Sequence, residues 1–206
     1  MWTTLPYVGL WHRPRATELR IDVDRDTQPL DGELDVLFRR MQTPGDRLHG
    51  IAAVGSGDPR YVIRHREDDG EFYVYVQDVH RQRLAGSTVF NRLIEVRRDA
   101  DRIVRAPHSR YAAGYQRQGL ASMVYRWGLD AGLCLLTGAR QSPAAHALWL
   151  ALSRRYALRY VDLRSKVLTD LGDTVSARVL DDLHTRMLLL GQGWDVARFA
   201  AATGMR

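Results

Sequence analysis

The sequence predicts an α/β domain built on a mixed, mainly antiparallel sheet with helices on both faces. Three observations predict it. Apolar residues recur with a period near two over residues 60–113, switch to helical spacing over 117–131, and alternate between short strands and helices thereafter. Turn signals fall between and beside these segments, at GSGDP (55–59), EDDG (67–70) and RDAD (98–101). Hydrophobic and charged fractions of 45% and 26% over 206 residues suit one globular domain with a substantial core.

Each element follows in order. Residues 1–57 carry the weakest pattern; ELDVLFRRMQ, Glu33 to Gln42, reads as a short helix, and Pro44-Gly45-Asp46 as a turn. RYVIRHR (60–66) and EFYVYVQDV (71–79) flank EDDG as a hairpin. In the second strand Phe72, Val74 and Val76 alternate with Tyr73, Tyr75 and Gln77, so both faces carry bulk. Residues 84–96 and 102–113 are further strands, with Pro107 marking a bulge or irregularity in the latter. Leu120, Met123, Val124, Trp127 and Ala131 share one helical face, and Gly132 closes that helix. After a short apolar strand at 133–138, Ser142-Pro143 opens a helix, serine as N-cap and proline in the first turn. Its buried stripe is Ala145, Leu148, Trp149, Leu152 and Tyr156. Residues 158–168 and 185–191 read as strands, and 194–202 as a closing helix.

Composition removes several function classes. No apolar run approaches the roughly 18 residues of a membrane span. The N-terminus lacks the charged-then-apolar order of a secretory leader. A single cysteine, Cys134, allows no internal disulfide, reads as buried in its strand, and agrees with a cytoplasmic location. The seven histidines lack ligand spacing, so no metal is expected. Neither a P-loop nor a G-x-S-x-G elbow occurs. The formal charge of +6 comes from scattered arginines, Lys166 being the one lysine, and attracts a small anion as readily as a nucleic acid, which is not favoured. Phe72, Tyr73 and Tyr75 fit a two-faced strand better than a base-stacking platform.

The segment YQRQGLA, Tyr115 to Ala121, carries the chemistry. It opens a helix with a polar, glycine-containing turn and no acidic N-cap. First-turn N–H groups lack partners inside a helix, and the helix dipole places partial positive charge there. A phosphate satisfies both, which makes an acidic cap unwelcome. Gly119 admits close approach of an anion and Ala121 keeps the next turn small.

Gln116-Arg117-Gln118-Gly119-Leu120-Ala121 resembles the Q/R-x-x-G-x-G/A signature of the GNAT superfamily of N-acetyltransferases. Ser142, Ala145, Leu148 and Trp149 stand at the spacing of the family's second motif, N-x-x-A-x-x-L-Y, in a variant similar to a phage and prophage-type subgroup. The resemblance spans roughly residues 60–168. It implies a splayed central strand pair, 108–113 and 134–138, between whose edges the pantetheine arm of acetyl-CoA lies. It implies that the amides of residues 116–121 hold the pyrophosphate, and that a backbone N–H among Tyr111, Ala112 and Ala113 faces the thioester carbonyl. Direct attack by a primary amine would follow, the rate coming mainly from positioning.

Two positions depart from the family pattern. Trp149 stands where a tyrosine usually protonates the departing thiolate, and an indole N–H is a poor acid. Ser142 replaces the asparagine that touches the pantetheine. Candidate substitutes are Ser142 and Tyr156, with His108 or Glu95 as base. His146 reads as surface. The expected activity is an acyl-CoA-dependent N-acyltransferase, acetyl-CoA the expected donor, the acceptor a small-molecule or protein amine. Residues 1–57 would form the variable acceptor-side part, 58–168 the motif-bearing core, and 169–206 a C-terminal strand and helix, with a homodimer as a further expectation. The alternative is a non-catalytic protein of the same scaffold that binds a nucleic acid or another protein.

Overall fold

Asp69 and Gly70 both have positive φ, 52° and 76°, the backbone pattern that lets a two-residue turn match the twist of its strands. They close one hairpin of a sheet that organises residues 27–206, the part of the chain that the computed structural model describes. In chain order the elements are α1 (Thr27–Gln42), β1 (Ala53–Gly55), β2 (Tyr61–Asp68), β3 (Glu71–Asp78), β4 (Arg83–Asn91), α2 (Arg98–Asp101) and β5 (Val104–Tyr111). A 3-10 turn (Ala113–Tyr115) leads to α3 (Leu120–Asp130), β6 (Cys134–Leu136) and α4 (Pro143–Leu152). β7 (Leu158–Arg164), β8 (Val167–Gly172), α5 (Ala177–Leu180), β9 (Thr185–Leu189) and α6 (Val196–Thr203) complete the chain. The strands form one sheet in the order β1-β2-β3-β4-β5-β6-β9-β7-β8. β5 and β6 pair in parallel, and the other described neighbours are antiparallel.

Strand alternation divides the core. Thr88, Phe90 and Tyr111 look towards α3, where Phe90 lies 6.1 Å from the Tyr125 ring and 6.4 Å from that of Trp127. Arg110 looks the other way and pairs with Glu33 of α1 at 2.7 Å. On that second face Phe199 of α6 packs with Val104, Cys134 and Leu136. Helices therefore cover both faces, as the apolar pattern of the strands requires.

The expected bulge at Pro107 is absent: β4 and β5 stay in register from Gly86↔Tyr111 to Asn91↔Ala106. The effect of the proline falls on the opposite edge. The Ala112 N–H donates to Ala85 O of β4 at 3.0 Å, so alternation turns the backbone groups of Arg105, Pro107, Ser109 and Tyr111 away from β4 and towards β6. Pairing with β6 stops at Arg105↔Leu135. The next donor of a parallel ladder would be residue 107, and proline has none. Beyond that point β5 and β6 diverge, which gives the splayed pair.

Other elements shift from expectation. Residues 158–168 are not one strand but a hairpin, turned at Ser165 and Lys166, both with positive φ. The predicted strand 84–96 ends at Asn91, and the short helix at 33–42 begins at Thr27. In α3 the buried stripe is Leu120, Val124, Tyr125, Gly128 and Leu129, rotated from the predicted set because Gly128 sits against Phe90, 3.0 Å from where a Cβ would stand.

Candidate functional site: a cleft between splayed strands

The turn that opens α3 is braced from beneath. The Tyr115 hydroxyl, in a buried residue, donates to Asp78 Oδ2 at 2.9 Å, while Asp78 Oδ1 accepts the N–H groups of His80 and Arg81. Burial alone would raise the Asp78 carboxyl; these donors outweigh it and hold the group below the usual carboxylate range. Gln116 Nε2 donates to Tyr111 O at 3.1 Å, and Gln118 Nε2 to Gly114 O at 2.7 Å. Tyr61 of β2 donates to Gln118 Oε1 at 3.0 Å. The amides of both glutamines thus fix the loop, a structural use that the signature alone did not assign to them.

Above this platform residues Gln116 to Gly119 are exposed. Arg117 and Gly119 take positive φ, 59° and 79°, while Gln118 between them does not; alternating left- and right-handed conformations are those in which successive N–H groups converge on an anion. Gly119 is the N-cap of α3, and no side chain among the described residues caps it. A Cβ placed on Gly119 would meet nothing within 4 Å. Glycine is therefore favoured here by its backbone angle, and the space where a side chain would begin is open. An uncapped helix start of this kind is a candidate anion site.

The open edge of β5 leads from this turn into the sheet. Of the three residues expected to supply an N–H to the cleft, Tyr111 has the right phase. Ala112 does not, because its N–H is held by Ala85 O, and Ala113 lies in the 3-10 turn beyond the strand. Ser109, which the sequence reading missed, shares the phase of Tyr111. Gly86 of β4 makes this stretch possible: a Cβ there would come within 2.3 Å of the Tyr111 ring and 2.5 Å of Arg110 O.

Beneath the same edge lies a chain of hydroxyls. Tyr111 OH and Thr88 Oγ1 are 3.2 Å apart, Thr88 Oγ1 and Ser109 Oγ 2.7 Å, and Ser109 Oγ donates to Tyr125 OH at 3.5 Å. Burial raises the phenols of Tyr111 and Tyr125 above the ordinary tyrosine value, so both remain protonated in neutral solution. Trp149 is 3% exposed and packs edge-on against Tyr125, ring centroids 6.3 Å apart. It fills core volume between α3 and α4 and offers no proton to the cleft.

The remaining predicted residues divide. His108 projects from β5 on the face of α1, beside Arg110, and is exposed; partial desolvation and that cation move its imidazole below the ordinary histidine value, leaving it mainly neutral at pH 7. Ser142 caps α4, its Oγ accepting the Ala145 N–H at 3.2 Å. Tyr156 is not brought to the cleft. Its hydroxyl donates to Asp130 Oδ1 at 2.7 Å, at the far end of an α3 about 16 Å long. Burial and that carboxylate raise its pKa to about 12. Glu95 stands in an exposed turn past the end of β4, and Cys134 is fully buried, its thiol pushed up to about 12 by burial. Among the described residues no cluster of three potential metal ligands occurs, and no helix is long and apolar enough to cross a membrane.

No family model matches the chain, nor does any curated protein. Among solved structures it is similar to a ribosomal-protein-S5-alanine acetyltransferase from Vibrio fischeri, at 9% identity and a TM-score of 0.40 over 70% of this chain and 99% of that one. It is also similar to a chimera of the Vibrio cholerae spermidine N-acetyltransferase SpeG and hSSAT, at 14% identity and 0.34 over 60% and 67%. A single-residue mutant of SpeG gives 18% identity and 0.36 over 60% and 66%.

Proposed function

We propose that the chain is an acyl-CoA-dependent N-acyltransferase, acetyl-CoA its donor and a primary amine its acceptor. One observation carries the reading: an uncapped helix N-terminus stands at the mouth of a sheet opened along the free edge of β5. A diphosphate is held by the N–H groups opening α3, and an extended amide-bearing arm pairs with the edge of β5. The Tyr111 or Ser109 N–H then faces a thioester carbonyl and stabilises the charge that develops on it during attack. His108, neutral at pH 7 and on the α1 face, takes a proton from an amine arriving from that side. Of the expected acceptor-side part, residues 1–57, the stretch 1–26 lies outside the described residues; residues 27–57 would line the acceptor side, consistent with α1 joining β5 through Glu33 and Arg110.

The test has two stages. Calorimetry with acetyl-CoA should give saturable binding. Thiol release should then appear with at least one amine of a panel containing an alanine-ended peptide, a lysine-containing peptide and spermidine. No binding of acetyl-CoA refutes the proposal. Binding without thiol release from any amine favours the non-catalytic reading, which the burial of Trp149 at the usual tyrosine position motivates.

A further inference from the structure

The hydroxyl chain under β5 has a direction. Tyr111, Thr88, Ser109 and Tyr125 supply four O–H donors for three contacts, and in the last of these Ser109 donates to Tyr125. With the others aligned in the same sense, Tyr111 donates to Thr88 and Thr88 to Ser109. The spare proton then belongs to the Tyr125 phenol, at the end of the chain. Thr88 is fully buried, Tyr111 and Tyr125 are 8% and 7% exposed, and Phe90 and Trp149 pack against the Tyr125 ring. In such apolar surroundings each link polarises the next. Burial, the larger effect, raises the Tyr125 phenol and keeps it protonated; the Ser109 donor opposes part of that by stabilising the phenolate.

We infer that Tyr125 is the acid that protonates the departing thiolate, with Ser109 and Thr88 as positioning residues that support its phenolate. This assignment rests on the acyltransferase reading. As the carbon–sulfur bond of the tetrahedral intermediate breaks, its electron pair goes to sulfur and the sulfur takes the Tyr125 proton. The phenolate keeps the Ser109 hydrogen bond and recovers a proton from water once the thiol has left; the proton shed by the attacking amine goes to His108. Trp149 then has a role consistent with its burial: it walls the Tyr125 ring in place from α4 instead of supplying the acid itself.

The experiment compares wild type with Tyr125→Phe and Ser109→Ala, using acetyl-CoA and the fastest amine of the panel. Tyr125→Phe removes one oxygen and should leave the acetyl-CoA Kd within about twofold. Its kcat should fall by about 10²-fold or more, the size of a lost general acid, and the alkaline limb of the kcat profile should disappear. Ser109→Ala should lower kcat about tenfold, the loss of a hydrogen bond of about 1.4 kcal/mol, and move the alkaline limb to higher pH. Wild-type kcat with an unchanged limb in Tyr125→Phe overturns the assignment and leaves the transferase reading standing. Loss of acetyl-CoA binding in that variant, in step with a lowered melting temperature, overturns it as well, because the hydroxyl is then structural. Failure of wild type to bind acetyl-CoA, or to release thiol with any amine, overturns both.

Discussion

Replacing Gly119 by aspartate and, separately, by asparagine separates backbone geometry from charge at the centre of the proposed site. Both side chains tolerate the left-handed conformation that Gly119 holds at φ 79° and ψ 4°, and a Cβ there meets no neighbour within 4 Å. Each variant should fold, at a cost of about 1 kcal/mol, which is a melting shift of about 2–4 °C for a chain of this size. The two side chains are nearly the same shape and differ by one charge. A carboxylate about 6 Å from each of two phosphate charges is repelled by about 0.7 kcal/mol per charge at a dielectric of 80, and by about 2.8 kcal/mol at 20. The sum, about 1.4 to 5.5 kcal/mol, corresponds to a loss of about tenfold to 10⁴-fold in affinity. Calorimetry with acetyl-CoA should therefore find Gly119→Asn within a few-fold of wild type and Gly119→Asp at least tenfold weaker, the gap shrinking as salt is added. Equal affinities in the two variants would show that no anion sits at this turn.

Pro107→Ala restores a donor on the edge facing β6, so the parallel ladder can extend by one hydrogen bond worth about 0.5–1.5 kcal/mol; acetyl-CoA affinity should fall up to about tenfold, and unchanged affinity would remove the account of the splay. Gly86→Ala forces a methyl to 2.3 Å from the Tyr111 ring and 2.5 Å from Arg110 O, and urea unfolding should report a loss of about 1–3 kcal/mol or more; a neutral result would mean that β4 and β5 separate without cost. The Asp78 carboxyl is held below its ordinary value, so its contribution is complete above about pH 4 and disappears as pH falls through the lowered value. Melting temperature measured from pH 6 to pH 3 should drop at the acid end, and in Tyr115→Phe the drop should be smaller, because one of the lowering donors has gone and the folded-state value lies closer to that of the unfolded chain. Coincident curves would detach Tyr115 from that titration.

Local chemistry made much of this legible. The Asp-Gly hairpin, the Ser142-Pro143 helix start and the Gly132 stop each require one backbone conformation that few other residues supply, and each stands where expected. The residues of the α3 opening were identifiable for the same reason: a glycine without a capping acid. What stayed hidden depends on contacts between segments far apart in the chain. Nothing near Tyr125 signals that Ser109 lies 16 positions away across the helix–sheet interface, or that Gly86 is small because of Tyr111. Tyr156 misled because it continues the stripe of α4 on paper, whereas the helix ends at Leu152 and the side chain turns to Asp130. Pro107 is conspicuous in the sequence, but which edge it disarms depends on the pairing phase of β5, a property of the partner strands rather than of the proline.

That phase also explains how one strand can serve a two-substrate reaction. Side chains on a strand alternate between faces, while backbone groups alternate between edges in the plane of the sheet. Along β5, His108 therefore looks towards α1, and Ser109 looks towards α3, where its hydroxyl meets Tyr125. The N–H groups of Ser109 and Tyr111 point between them, into the gap that Pro107 leaves. On the proposed reading a base, an oxyanion donor and the support for an acid are drawn from four consecutive residues, with no loop needed to bring them together. On that reading each would keep to its own side: the amine would approach over His108, the thiol would depart past Tyr125, and the sheet edge would separate them. A one-residue slip of β5 against β4 would exchange the two faces and place the histidine under α3, so the register held at Gly86 and Tyr111 is as necessary to the chemistry as any titratable group.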